Sequence, residues 1–224
     1  SVLNARVKEC APFENVYTLA LRGLHDRAMN ASNDMGDRKD MLQEALMAQR
    51  QMLIDAIGKP GEEIPQAFTP YKEVLDVYDE GLELPDDVTI IWPDDNYGYM
   101  KRLSSPKEQK RSGRSGVYYH SSYLGKPHDH LWMNTISPTL MYEELRKAYD
   151  ATADRIWLLN AGDIKSCEFA VDYFLTMAFD IDSFNFERAA NYRTEWLCGM
   201  LGDQYRNEYQ DVVNSFYKLA YRKN

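Results

Sequence analysis

Up to about residue 180 the chain alternates short apolar runs with longer segments of helical period, and beyond that only the helical period remains. Val16–Leu21 reads as a first strand, ended by Arg22-Gly23, and Ile64–Phe68 as a second, weaker one. Val88–Trp92, Val117–His120 and Arg155–Asn160 read as the third, fourth and fifth, with Pro93 stopping the third because it cannot donate to a ladder. Between the first two, Asp37–Ile57 carries apolar residues at 42, 45, 46, 53, 56 and 57, a helical spacing terminated by Gly58 and Pro60. Thr69-Pro70 suits the cap and first position of a helix running to about Tyr78, and Ser104–Arg114 suits a short helix. Ser137-Pro138 opens a helix through Tyr149. Helices are also predicted over Ile164–Phe179, Phe186–Leu201 and Asp203–Tyr221.

Five successive βα units imply right-handed crossovers and a parallel sheet. A closed (β/α)₈ barrel takes roughly 250 residues. The α/β expectation is therefore either an open five-stranded sheet or the C-terminal part of a TIM-type barrel of about five parallel βα units, followed by α-helices. The corresponding division is a barrel region over 1–180 and a helical region over 181–224. The chain opens at Ser1-Val2-Leu3 with no signal peptide, so it reads as a processed or excised piece. A barrel short of its first strands would leave Val16–Leu21 as an open edge, and self-association as a dimer is expected.

A net charge of −9 argues against nucleic acid or an anionic membrane as partner. No apolar run approaches the ~18 residues of a membrane helix. Cys10, Cys167 and Cys198 are odd in number and lack metal-ligand spacing, which predicts buried free thiols. The 16 tyrosines, set among Asp, Asn and His in loops, suit sugar binding, where ring faces stack and planar polar groups bind hydroxyls.

The polar residues gather where the strands end. Arg22, His25 and Asp26 follow the first strand and Glu73 the second; Asp94, Asp95 and Asn96 follow the third, inside Trp92-Pro-Asp-Asp-Asn-Tyr-Gly-Tyr99. His120 and Tyr123 follow the fourth, and Asn160, Asp163 and Lys165 the fifth. In α/β proteins the C-terminal ends of the strands are where ligands bind, so these loops predict a polar pocket. His128-Asp129-His130 raises a metal-dependent hydrolase, but a full ligand set would have to be assembled arbitrarily, and neither metal nor cofactor is expected. Glycoside cleavage fits better. It needs one carboxylic acid to protonate the leaving oxygen and one carboxylate to activate water or attack the sugar, and Asp26, Glu73, Asp94 and Asp95 are available. Arg22 would clamp an anionic group on the substrate, or else pair with Asp26.

Arg22-Gly-x-x-Asp26, Thr69-Pro-Tyr-Lys-Glu73 and Trp92–Tyr99 resemble consecutive motifs of family 115 glycoside hydrolases, in the correct order. So do Arg111-Ser-Gly-x-x-Gly-Val-Tyr-Tyr-His-x-Ser-Tyr123, Gly125-Lys-Pro-His128 and Asn160-x-Gly-Asp-Ile-Lys165. The resemblance runs from about residue 15 to 180. It implies a xylan α-1,2-glucuronidase that removes glucuronic acid or its 4-O-methyl ether from glucuronoxylan with inversion, without a metal. Carried over by motif, Asp26 and Glu73 match the family's acidic catalytic residues and Asp94 a further pocket carboxylate. Arg22, Asn96, His120, Tyr123 and Asn160 match positions lining the uronic-acid pocket. The resemblance also implies glucuronoxylan or its oligosaccharides as partner and a secreted or periplasmic location. Family members are longer chains with a complete barrel, so the competing expectation for these 224 residues alone is a non-catalytic carbohydrate-binding or structural piece.

Overall fold

A computed structural model of the chain describes residues 2–23, 27–29, 34–131 and 133–220. It is a partial (β/α) barrel followed by helices. The strands are β1 (Tyr17–Thr18), β2 (Gln66–Phe68), β3 (Thr89–Pro93), β4 (Ser115–His120) and β5 (Trp157–Asn160), in that order in the sheet. β1 pairs with β2, β2 with β3 and β4 with β5, all in parallel. Seven α-helices occur among the described residues: α1 (Val2–Cys10), α2 (Met35–Ile57), α3 (Glu73–Asp79), α4 (Pro138–Asp150), α5 (Glu168–Phe179), α6 (Phe186–Leu201) and α7 (Arg206–Ala220). No strand follows β5 among those residues.

The chain forms two compact units, one of residues 1–92 with 104–116, the other of 93–103 with 117–224. Strands β3 and β4 both run through the boundary. In the first unit the Ile90 N–H donates to the Arg114 carbonyl at 3.4 Å, and in the second the Asp94 N–H donates to the Tyr118 carbonyl at 3.1 Å.

The first unit has its own core. Leu42, Leu46 and Leu53 of α2 pack with Leu19, Phe68, Val74, Val77 and Val88, each at most 5% exposed. Helix α2 starts on Asp34, whose side chain accepts the Asp37 N–H, and ends on Gly58 at φ +74, where a residue without Cβ is favoured. Arg50 of this helix holds Asp87 through two bonds of 2.8 and 2.9 Å. Trp92 is fully buried, which contributes roughly 1.5–3 kcal/mol. Its indole N–H donates to Ser104 Oγ at 2.8 Å.

Three elements of this unit depart from expectation. β1 is two residues long: the Leu19 N–H still reaches the Ala67 carbonyl at 2.8 Å, and the Ala20 N–H and carbonyl are both taken by the Gln49 side-chain amide, at 3.0 and 2.8 Å. Thr69-Pro70 does not open a helix. The Tyr71 N–H turns back to the Thr69 carbonyl, Lys72 takes φ +54, and α3 begins at Glu73 without a side-chain cap. The segment 104–114 holds only a 3₁₀ turn, Glu108–Lys110.

The second unit is built on aromatic packing. Tyr119, Tyr173, Phe169, Phe174 and Phe184 form one buried cluster with Met141, Leu145 and Met177. Both buried phenols among α4 and α5 are satisfied: Tyr173 donates to the Pro138 carbonyl at 2.8 Å and Tyr142 to the Phe184 carbonyl at 3.1 Å. Helix α4 opens on Ser137, which accepts the Leu140 N–H, with Pro138 in the first turn as expected. Helix α5 starts at Glu168 instead of 164, since Ser166 takes φ +68 and interrupts the turn before it. Cys167 and Cys198 are buried free thiols and Cys10 is a half-buried one. No described helix is long and apolar enough to cross a membrane.

Candidate active site

In the first unit, β1 leads into Arg22 and β2 into Glu73. The Arg22 guanidinium grips both Glu73 carboxylate oxygens, at 3.2 and 3.1 Å, a two-pronged pairing that fixes the plane of each group. The two side chains are 18% and 21% exposed, so the carboxylate is partly desolvated yet reachable. Arg22 also lies over the Tyr71 ring, 5.5 Å from its centre. Glu73 is the first residue of α3, where the helix N-terminus favours negative charge, and it follows the positive-φ Lys72. A non-glycine residue in that region costs about 1–3 kcal/mol, which the surrounding structure has to offset. Asp26 and His25 lie outside the described residues.

The second unit places Asp94 beyond the last residue of β3, at 2% exposure. Its Oδ1 accepts the Asn96 N–H at 3.0 Å, and its Oδ2 accepts the Gly98 N–H at 3.2 Å and the His120 N–H at 3.1 Å. The fourth bond is to His120 Nδ1, at 2.6 Å. Toward a carboxylate oxygen the imidazole nitrogen is the donor, so in this pairing His120 Nδ1 carries the hydrogen. The imidazole is fully buried, and its tautomer and ring plane are set by Asp94. Asp95 does different work: its Oδ1 accepts the Tyr97 and Tyr99 N–H groups and caps the turn.

The loop from Asp94 to Met100 is closed on itself by an antiparallel bridge between those two residues. It is pinned from behind by Tyr119, whose hydroxyl donates to the Gly98 carbonyl at 2.9 Å, and by buried Glu144, which accepts the Met100 N–H at 2.9 Å. Burial, with Asp94 and Glu144 nearby, pushes the Tyr119 phenol well above its ordinary value, so it stays a donor. Asn96 takes φ +73, and its carbonyl accepts from His130 Nε2 at 2.5 Å. Tyr97 stacks on His128 with centroids 4.6 Å apart and meets Tyr123 edge-on at 5.7 Å.

Parallel register sets His120 opposite Asn160 where β4 and β5 end. Asn160 donates to the Tyr118 hydroxyl at 3.0 Å, and the Tyr118 ring lies 4.5 Å from that of His120. The Asn160 carbonyl accepts the Ser121 and Ser122 N–H groups, holding the chain as it leaves β4. His120 also meets Tyr123 edge-on at 5.9 Å. The second unit thus brings together Asp94, Asn96, His120, Tyr123 and Asn160; the first brings together Arg22 and Glu73. Asp163 and Lys165 are exposed, and Lys165 pairs with Glu168. Among the described residues no group of three or more His, Cys, Asp or Glu side chains has the arrangement to hold a metal ion.

The model of glycosyl hydrolase family 115 matches residues 1–224. The chain belongs to that family. Eleven solved chains match it as well. One, described as a family GH115 4-O-methyl-α-glucuronidase, BtGH115A, with specificity for decorated arabinogalactans, is 41% identical with a TM-score of 0.91. The alignment covers 97% of this chain and 29% of that one, so the chain spans under a third of this family member's length. No curated protein sequence matches it.

Sequence reasoning passed over Tyr118 and Tyr119 as contributors to the site, and weighed His130 only as a metal ligand. Strand alternation carries the signal for the first two: Tyr118 shares a face with His120, and Tyr119 takes the opposite, helix-packed face. Nothing local in the sequence marks His130 as a link between loops, because its partners Asn96 and Tyr123 come from different loops.

Proposed function

We propose that this chain supplies uronic-acid recognition and acid–base groups to an α-glucuronidase. That enzyme hydrolyses the α-1,2 bond joining glucuronic acid, or its 4-O-methyl ether, to a xylan backbone. The observation that carries the reading is that each candidate group among the described residues lies at or just beyond the C-terminal end of its own strand, in a chain of family 115. Arg22 offers a guanidinium suited to the uronate carboxylate, and Asn96, Asn160, Tyr123 and the Asp94-oriented His120 offer donors and acceptors for hydroxyls.

Glu73 and Asp26 are the acid–base pair in this reading. One protonates the departing xylosyl oxygen as the glycosidic bond breaks, and the other takes a proton from the water that attacks the anomeric carbon from the opposite face. Attack on that face inverts the α-linkage, so the first-formed product is β-glucuronic acid. Asp94, with both oxygens engaged, acts through His120 and does not itself exchange a proton with substrate.

The direct test follows release of glucuronic acid from glucuronoxylan oligosaccharides by the intact protein, with the anomer read by NMR before mutarotation. Initial α-product would overturn inversion. BtGH115A has specificity for decorated arabinogalactans, so a uronate-capped arabinogalactan belongs in the same assay. Preference for it would move the substrate assignment from xylan to arabinogalactan. Activity abolished by chelator and restored by zinc would favour a metal hydrolase. Calorimetry with glucuronic acid on the same sample separates binding without turnover, the non-catalytic alternative, from catalysis.

A further inference from the structure

We infer that His130 is a positioning residue that holds Asn96 and Tyr123 together; its consequence for sugar binding rests on the glucuronidase reading above. Asn96 sits in the left-handed region at φ +73, which asparagine tolerates better than most residues and which bonds to its backbone fix in place. Support comes from both sides of its backbone. Its N–H is held by Asp94 Oδ1 at 3.0 Å and its carbonyl by His130 Nε2 at 2.5 Å.

A carbonyl only accepts, so Nε2 carries the hydrogen and Nδ1 of the neutral ring carries a lone pair. That Nδ1 is buried without a hydrogen-bond partner among the described residues, and His130 is 8% exposed. An orphaned buried acceptor is a cost that a phenylalanine would avoid, which points to the Nε2–H bond as the reason for a histidine. The backbone of His130 does the second half of the work. It exchanges two bonds with Tyr123, 3.0 Å from the His130 N–H and 2.7 Å to its carbonyl, closing the loop that carries Tyr123 and His128. One residue therefore joins the loop after β3 to the loop after β4, with Tyr97 filling the space beside its ring at 5.4 Å.

His130→Phe keeps a ring and removes the donor, whereas His130→Gln keeps an N–H able to reach the Asn96 carbonyl. In the intact protein His130→Phe is expected to raise KM for a glucuronosyl oligosaccharide about tenfold with kcat changed less than about threefold, as loss of a uniformly used binding contact requires. His130→Gln is expected to recover most of that rise. Hydrogen exchange at residues 95–100 is expected to quicken about tenfold in His130→Phe and to return in His130→Gln. Wild-type KM together with wild-type exchange in His130→Phe would overturn the proposal and leave the glucuronidase reading standing. A wild-type protein that neither binds nor turns over glucuronosides would sink that reading, and the exchange measurement would still decide the positioning role. Should His130→Phe fail to fold, nitrogen NMR of the wild-type imidazole decides: a ring protonated at Nε2 and bare at Nδ1 near neutral pH is expected, and the reverse tautomer would overturn the proposal.

Discussion

Glu73 and Asp94 are both carboxylates at strand ends, and the two units treat them in opposite ways. Among the described residues Glu73 is gripped by one side chain, Arg22, and keeps about a fifth of its side-chain surface in solvent. Asp94 is closed off, with three backbone N–H groups and an imidazole on its two oxygens. A carboxylate whose single strong partner is a flexible side chain can trade that partner for substrate. One saturated by backbone can only orient what it holds. In the proposed reading, that difference gives chemistry to the first and scaffolding to the second.

The sharpest way to break that contrast is to remove each acid in turn. Glu73→Gln keeps size and should leave folding intact while lowering kcat by about 10²–10⁴-fold, the usual worth of an acid–base group. A near-wild-type rate would take Glu73 out of the catalytic set. Asp94→Ala should act on stability, costing about 3–5 kcal/mol in chemical denaturation because it leaves the buried His120 imidazole and three N–H groups without their acceptor. A loss confined to activity would mean that Asp94 is the reactive acid. Tyr119→Phe, which strips the hydroxyl from the Gly98 carbonyl behind the same loop, should cost about 1–3 kcal/mol.

A smaller effect should appear with pH. Burial lowers the pKa of His130, helped by the nearby His120 and His128 and opposed by its bond to Asn96 and by Asp94. The unfolded chain therefore binds that proton more readily than the folded one. His130 should contribute to a loss of stability as pH falls below about 6.5, its unfolded value. Comparing denaturation of the wild type and His130→Phe from pH 7.5 to 5 isolates this slope, and identical slopes would remove it. Smallest of all, Arg146→Ala breaks exposed pairs with Asp150 and Asp182 and should cost less than about 1 kcal/mol.

What could be read from the chain beforehand was whatever depends on local pattern. Ser137-Pro138 starts α4 and Gly58 ends α2, because capping and the loss of Cβ are properties of single residues. The order of the five strands follows from alternation and crossover handedness. The start of α3 was misplaced because Thr69-Pro70 has the composition of a cap, while Lys72 adopts a conformation that composition does not betray. In the site the residue types at the strand ends were legible, but their division of labour was not. Asp94 and Asp95 are neighbours with the same side chain. Only the return of β4 alongside β3, bringing His120 to one of them, separates the orienting acid from the turn cap.

The Gln49 amide on Ala20 has a consequence for the side of β1 that faces away from β2. Tyr17 and Leu19 spend their N–H groups on β2, so the groups of Thr18 and Ala20 face the other way. At Ala20 that outward rung is already filled by a side chain shaped like a single peptide group. Any strand adding itself beside β1 could zip up only as far as Thr18 before meeting an occupied position. Gln49 thus marks where backbone pairing on that side of β1 ends, just before the chain turns toward Arg22.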